Sequence, residues 1–422
     1  MGKADISKSY KYGEAIEDLV AEATSHYFFE DFVFKSPAYY KKNLKKEAAD
    51  LLVVSGSILI VIQIKTRLIK KENTLVSEID LGRFDKALEK NQRQFRAMYE
   101  WIESSDSKIE AKNILNETVE FDPKSFSDVH LVSIYDFGVL PPENEPQTIK
   151  YRPYAGPMEG GLGILNLHIQ DYLTILKFCD NLSDFNAWAK VSLALFELNA
   201  VDTKSEPLEI WVTLTFYKEK VFRALDSNTR ISVNDASENL LEKEKDKLIE
   251  LDHIEKDSFI IDDLIRLLSG RQSGDISHGT SGKMPKDCKS EPTQVNERKM
   301  IQALASLNRN QRVDLIALLK RKQREATCKE VSYGIAHWQD QCPPILVIVS
   351  RVTETEMEET IKVLGLSAAH HTNSKSIISI GLHTDLEIRD IEKIKCCRLE
   401  VVTDFDSRIS EAAKQVFEPF SI

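Results

Sequence analysis

Apolar positions along the first 140 residues change period several times, and each change predicts an element. From Tyr12 to Tyr27, Ile16, Leu19, Val20 and Ala23 recur at helical spacing. "FVF" at 32–34 reads as a short strand, and Pro37 with the lysine-rich run after it reads as a loop. Two apolar runs then flank Ser55-Gly56-Ser57, which predicts a hairpin. Leu81 to Ile102 is amphipathic, with Phe84, Leu88, Phe95, Met98 and Ile102 on an apolar stripe and Lys86, Lys90 and Arg93 on another face. "VHLVSIYDF" at 129–137 predicts a strand that Gly138 and Pro141-Pro142 end. The predicted order is helix, three strands, helix, strand.

Further along, "LEIWVTLTF" at 208–216 reads as a strand, and 237–269 reads as helical and highly charged. Residues 271–296 are polar, with Gly, Ser and Pro throughout, and read as a flexible linker. Beyond it, 297–325 reads as helical, ending in the basic "KRKQR". "PPILVIVSR", "SIISIGL" and "RLEVV" then alternate with helical stretches at 353–364 and 385–395, which predicts a small α/β domain with a partly parallel sheet. The expected division is 1–145, a middle mixed α/β region at 146–270, the linker 271–296, and a C-terminal domain at 297–422. A chain of 422 residues is too long for one ordinary core.

Composition narrows the class. Apolar residues make up 42% and charged residues 29%, as in globular proteins. The longest wholly apolar run of the hairpin, Ile58 to Ile62, is far short of the roughly 20 residues of a membrane span. The first twenty residues have no apolar core resembling a signal peptide. Six cysteines without a CxxC pair point to reduced thiols, so a cytoplasmic setting without a membrane partner is expected. "GPMEGGLG" at 156–163 lacks the GK[ST] that would make it a phosphate loop.

Net charge is −11, yet nine Lys or Arg face only Glu47 and Asp50 between Val33 and Lys71, leaving that window +7 and the remainder −18. Such a reversal points to an anion-binding surface, although a solvated basic face has the same composition. The window coincides with unusual chemistry on the hairpin. Gln63 and Lys65 alternate onto one face of a strand, and a turn at 55–58 puts Asp50 opposite Gln63. Carboxylate and carbonyl oxygens are ligands that Mg²⁺ prefers. Glu14 and Glu17 on the first helix supply candidates for another carboxylate. The plainer alternative is a hairpin whose charged residues lie at solvated ends.

The arrangement Asp50-x12-Gln63-Ile64-Lys65, with Gly13-Glu14-Ala15-Ile16-Glu17 on the preceding helix, resembles the PD-(D/E)xK nuclease superfamily. Within it, the likeness is to the Mrr-like restriction endonucleases, which use Q-x-K in place of E-x-K. Ile62-Gln63-Ile64-Lys65 matches that group's "V-Q-x-K", whereas Ala48-Ala49-Asp50 lacks the glycine of its "G-x-D". The resemblance covers residues 10–140 and implies an α/β, restriction-endonuclease-like αβββαβ core. It also implies Mg²⁺-dependent cleavage of a DNA phosphodiester, with Mn²⁺ as substitute cation. Glu17, Asp50, Gln63 and Lys65 become the expected catalytic residues, the first three as metal ligands. Lys41, Lys42, Lys45, Lys46, Arg67, Lys86, Lys90 and Arg93 become expected contacts to DNA phosphates.

Architecture then suggests a bacterial restriction or anti-phage effector, in which 297–422 senses a nucleotide signal or a protein partner. The "IVSR" strand end and His370-His371 are candidate contacts there. Double-strand cleavage by single active sites implies a homodimer or larger assembly. Two alternatives remain: a non-catalytic DNA-binding scaffold on the same fold, which the uncharged Gln63 favours, and a junction-resolving nuclease.

Overall fold

The computed structural model describes residues 3–41, 44–70, 82–104, 109–113, 118–140, 147–148, 163–197, 207–216, 219, 221, 223, 255–272, 293–327, 330–338, 343–386, 388 and 394–400. They form two compact units, 1–247 and 248–422. The expected boundary at residue 145 falls inside the first unit.

In the first unit, α1 (Lys3–Phe28) leads into β1 (Val33–Lys35), β2 (Ala38–Lys41), β3 (Leu44–Glu47), β4 (Leu51–Ser55) and β5 (Ile58–Lys70). Next come α2 (Gly82–Ser104), β6 (Ile109–Lys112), β7 (Thr118–Phe121), β8 (Asp128–Leu140), β9 (Gln147–Thr148) and β10 (Ile164–His168). The helices α3 (Ile169–Cys179), α4 (Leu182–Glu197) and α5 (Pro207–Phe216) follow. The main sheet runs β1-β4-β5-β8-β10, with β9 paired to β8. β1, β4 and β5 are antiparallel neighbours, whereas β5–β8 and β8–β10 are parallel.

Strand alternation gives this sheet two faces. Leu59 and Val61 pack with Leu52, Val54 and Leu131 against Phe95 and Met98 of α2. Thr66, one residue on from Lys65 and so on the opposite face, meets α1 at Gly13, where an added Cβ would lie 3.1 Å from the Thr66 hydroxyl. There α1 is covered in turn by α3 and α4: the Thr24 hydroxyl lies 2.9 Å from that of Tyr172, and Phe28 stacks edge-on against Phe185.

Residues 37–46, expected as a loop, fold as the hairpin β2–β3. It joins β6–β7 in a second sheet of order β3-β2-β6-β7. Lysines suit an edge hairpin because charge on an edge discourages pairing with another chain. Pairing of 33–35 with 53–51 resumes as 38–41 with 47–44, leaving Ser36-Pro37 opposite Ala48-Ala49-Asp50. That is two residues against three, a β-bulge, and Ser36 takes a left-handed φ of 47° within it. The ladder remains closed across the bulge by Ser36 N–H to Asp50 O at 2.9 Å and Ala48 N–H to Pro37 O at 2.7 Å.

The segment 208–216, expected as a strand, is helix α5. β-branched and aromatic residues suggested a strand, but Ile210 and Thr213 are buried at i, i+3 and Trp211 packs on Phe178 of α3. Tertiary packing here overrides propensity. The glycine-rich stretch lies outside the described residues except for Gly163, as does 237–254 of the expected charged helix.

The second unit contains α6 (Phe259–Gln272), α7 (Thr293–Ala305), α8 (Arg309–Ala326), β11 (Val331–Ala336), β12 (Ile345–Ser350), α9 (Glu354–His371), β13 (Ser376–His383) and β14 (Lys395–Glu400). Most of the expected linker, 273–292, lies outside the described residues, and α6 before it packs with the helices after it. The sheet order is β11-β12-β13-β14, with one parallel pair, β12–β13, inside two antiparallel ones. That is the partly parallel sheet expected. Of the stretch 385–395, expected as helix, residues 385, 386 and 388 are not helical and Lys395 opens β14, while 387 and 389–393 lie outside the described residues. Asn308 and Gln311 form a capping box that starts α8, and Thr353 and Glu356 form one that starts α9. Among the described residues no helix is long and apolar enough to cross a membrane.

One buried ion cluster ties α6 to α8. Arg309 Nη1 donates to Asp262 Oδ2 at 2.7 Å, and Arg312 donates to the other Asp262 oxygen as well as to the carbonyls of Leu307 and Ala305. Asp262→Ala leaves two guanidinium groups in a dry site and costs about 3–5 kcal/mol. Hydrogen exchange on the full chain is the check: protection falls over 259–272 and 309–326 and is kept over 51–70.

A second cluster lies at the start of β8. Asn186 Nδ2 donates to Asp128 at 3.1 Å, so Asn186 Oδ1 is left to accept from His130 Nε2 at 2.5 Å. His130 Nδ1 is buried without a hydrogen-bond partner. Burial holds this imidazole below its ordinary value of 6.5; Lys190 adds to that, while Asn186 and Asp128 oppose it. The unfolded chain therefore binds the proton first as pH falls. His130 contributes stability that is whole above the ordinary value and is lost as pH falls through the lowered folded value. Urea denaturation at about pH 7.5 and about pH 5.5 measures this, and His130→Gln reduces the difference between the two.

Candidate active site

The site begins with a turn. Gly56 and Ser57 lie between the paired residues Ser55 and Ile58, and Gly56 has a left-handed φ of 57°. A two-residue hairpin turn with glycine first twists in the sense of its strands. The register it fixes pairs Leu51 with Ile62, so Asp50 lies opposite Gln63 as the alternation predicted. Asp50 N–H donates to Ile62 O at 3.2 Å, and Ile64 N–H returns a 2.5 Å bond to Asp50 Oδ2. The Asp50 carboxylate is thereby anchored to the backbone of the strand that carries Gln63 and Lys65.

Lys65 lies two residues beyond Gln63 on the same face, half-buried, with its ammonium 3.2 Å from its neighbour's carbonyl, Ile64 O. Burial lowers its pKa, as does Lys90, while Asp50, Glu17 and Glu47 pull it upward. Asp50 moves the other way. Burial raises its carboxyl above the usual range, and Lys65, the Ile64 amide and Lys90 oppose the shift.

Glu17 of α1 reaches the same field. Burial raises its pKa first and the Asp50 charge second, with Lys35 opposing. The structure thus brings Glu17, Asp50 and Lys65 within electrostatic range of one another, whereas Glu14 is exposed. A carboxylate whose pKa is raised by burial and by the Asp50 charge, beside a half-buried ammonium, forms a setting in which a cation relieves repulsion.

Gln63 is 2% exposed. Its Nε2 approaches Ala48 O at 3.5 Å, and its Oε1 is buried without a hydrogen-bond partner. An acceptor left in that state costs about 1–3 kcal/mol. The donor set offered to a metal is therefore two carboxylates and one bare amide oxygen, a hard-oxygen set that fits Mg²⁺ or Mn²⁺. Among the described residues no three His, Cys, Asp or Glu side chains form a metal-holding group, so any site here depends on the amide.

Lys86, Lys90 and Arg93 are exposed on α2, and Lys90 acts on both Asp50 and Lys65. Lys41, Lys45, Lys46 and Arg67 lie on strands, but their side chains are outside the described set, as is all of Lys42. The counted charges of the sequence did not single out Glu47 or Lys35, whose fields reach Glu17. Asn91 of α2 was missed altogether. It is 1% exposed and donates to the Ser133 hydroxyl at 2.8 Å. Its signal is an amide on an apolar stripe, three residues after Leu88 and four before Phe95.

What brings Glu17 to the sheet is the close approach at Gly13 together with Tyr12, whose hydroxyl donates to Asp136 Oδ2 at 2.6 Å. Tyr12→Phe deletes a hydrogen bond to a buried carboxylate and lowers stability by about 1.5–3 kcal/mol, measurable by urea denaturation. Comparison of the chain with family models, with curated proteins and with solved structures finds no match.

Proposed function

We propose that the chain is a divalent-metal-dependent endodeoxyribonuclease, with a restriction-endonuclease-like core formed by α1, β1, β4, β5, α2 and β8. The observation that carries this reading is the β4–β5 register. It places the Asp50 carboxylate, the Gln63 amide and the Lys65 amine together at one end of an apolar hairpin. A solvated hairpin end would leave these groups exposed, whereas Gln63 is dry and Asp50 and Lys65 are half-buried.

Asp50, Gln63 and Glu17 would hold Mg²⁺, or Mn²⁺ in its place. When bound, such a cation acts as a Lewis acid toward a phosphodiester and lowers the pKa of water. The protein's own parts follow from their placement. Asp50 is fixed by the Ile64 amide. Glu17 is carried in on α1, which Tyr12 and Gly13 hold to the sheet. Lys65, its proton loosened by burial, is placed to orient the attacking water and to balance charge on the phosphate.

Lys86, Lys90 and Arg93 would grip DNA phosphates beside the hairpin, and the lysines of β2–β3 would extend that grip. Residues 248–422 would serve as the sensing or partner-binding unit of a cytoplasmic restriction or anti-phage effector that cuts as a homodimer or larger assembly. A non-catalytic DNA-binding scaffold is the second reading, favoured by the absence of charge on Gln63.

Supercoiled plasmid incubated with Mg²⁺ or Mn²⁺ decides between them. The parent protein nicks or linearises it, while Asp50→Ala and Lys65→Ala each lose activity by about 10²–10⁴-fold. Equal cutting by parent and variants removes this site from the chemistry. DNA binding without cutting by any of them favours the scaffold.

A further inference from the structure

The face of the main sheet that holds Gln63 continues sideways into a polar layer. Gln63 pairs with Ser133 in the parallel β5–β8 register, so their side chains share a face. Ser133 is fully buried, and its hydroxyl accepts from Asn91 Nδ2. Gln63 and Asn91 both keep a carboxamide oxygen with no hydrogen-bond partner. Apolar residues adjoin them in sequence: Val61 and Leu131 precede them on the strands, and Phe95 follows on the helix.

A purely structural explanation fits Asn91 poorly. At this stripe position a leucine would fill the layer with no polar atom to satisfy. An asparagine there costs desolvation of its amide, and only its NH₂ end is repaid by Ser133. Two orphan acceptors of the same kind, one on the strand beside Ser133 and one on the side chain that bonds the Ser133 hydroxyl, call for a guest with positive charge or hydrogen-bond donors. A hydrated divalent cation meets both needs. Gln63 Oε1 ligates it directly, and Asn91 Oδ1 accepts a hydrogen bond from water in its shell.

Resting on the nuclease reading of the hairpin, we propose that Asn91 is a further positioning residue of the site. On this proposal Gln63, Asn91 and Ser133 form its inner wall, and Asn91 holds the hydration shell of the cation that Asp50 and Gln63 bind. The requirement is for the acceptor oxygen at position 91 and not for the shape of the residue.

Titration calorimetry of Mn²⁺ into the full-length protein tests this without any assay of cutting, alongside Asp50→Ala, Asn91→Leu and Asn91→Asp. Leucine keeps the size of the side chain and deletes the acceptor, and weakens Mn²⁺ by about 10–100-fold. Aspartate keeps the acceptor and adds charge, and binds Mn²⁺ at least as tightly as the parent. Weak binding by both variants shows a structural role and overturns the proposal; unchanged binding by leucine also overturns it. Should Asn91→Leu fail to fold, the aspartate variant decides alone: tight binding supports the acceptor role and weak binding ends it. Loss of Mn²⁺ with Asp50→Ala but not with Asn91→Leu refutes only the role of Asn91. No binding by the parent, or binding untouched by Asp50→Ala, overturns the metal site itself.

Discussion

The site depends on the length of one turn. With two residues between Ser55 and Ile58, Asp50 meets Gln63 and the apolar residues of β4 and β5 fall on matching faces. One residue more would slide the register, and because side chains alternate, it would send Asp50 to the face where α1 packs. Burial enforces the same choice, since Leu52 and Val54 must reach the layer under α2. The geometry of the candidate site and the packing of the core are thus set by one constraint.

Electrostatics then acts on a frame that is already rigid. Glu17 is brought toward Asp50 by helix packing on the other face of the sheet, in spite of like charge. Burial is the largest cause of the raised carboxyl groups and of the lowered lysine, and the Asp50 charge adds to the rise at Glu17. Backbone contacts, Ile64 N–H to Asp50 above all, hold the carboxylate where a flexible side chain would turn toward solvent.

Much of this was legible because periodicity reports burial. The hairpin, α1, α2 and β8 followed from apolar spacing, and the opposition of Asp50 to Gln63 followed on the condition that the turn spans 55–58. The failures share a cause: the feature depended on contacts distant in sequence. Trp211 and Ile210 looked like strand residues until α3 supplied a helical partner. The lysines around Pro37 looked like a loop because β2 and β3 find their partners at a sheet edge. Asn91 hid in an apolar stripe, where counting hydrophobic residues passes over the one polar member that needs explaining.

The bulge at Ala48-Ala49-Asp50 has a consequence for how such a protein changes over time. It is a joint: on one side the ladder belongs to the main sheet, on the other to the β2–β3 arm, and a hydrogen bond between Ala48 and Pro37 closes the neck between them. Because both strands of the arm leave and return through that neck, the arm is topologically a graft. Lengthening, shortening or recolouring its charge leaves the pairing of β1 with β4 intact. The surface beside the candidate site is therefore free to diverge while the Asp50–Gln63 register behind it stays fixed.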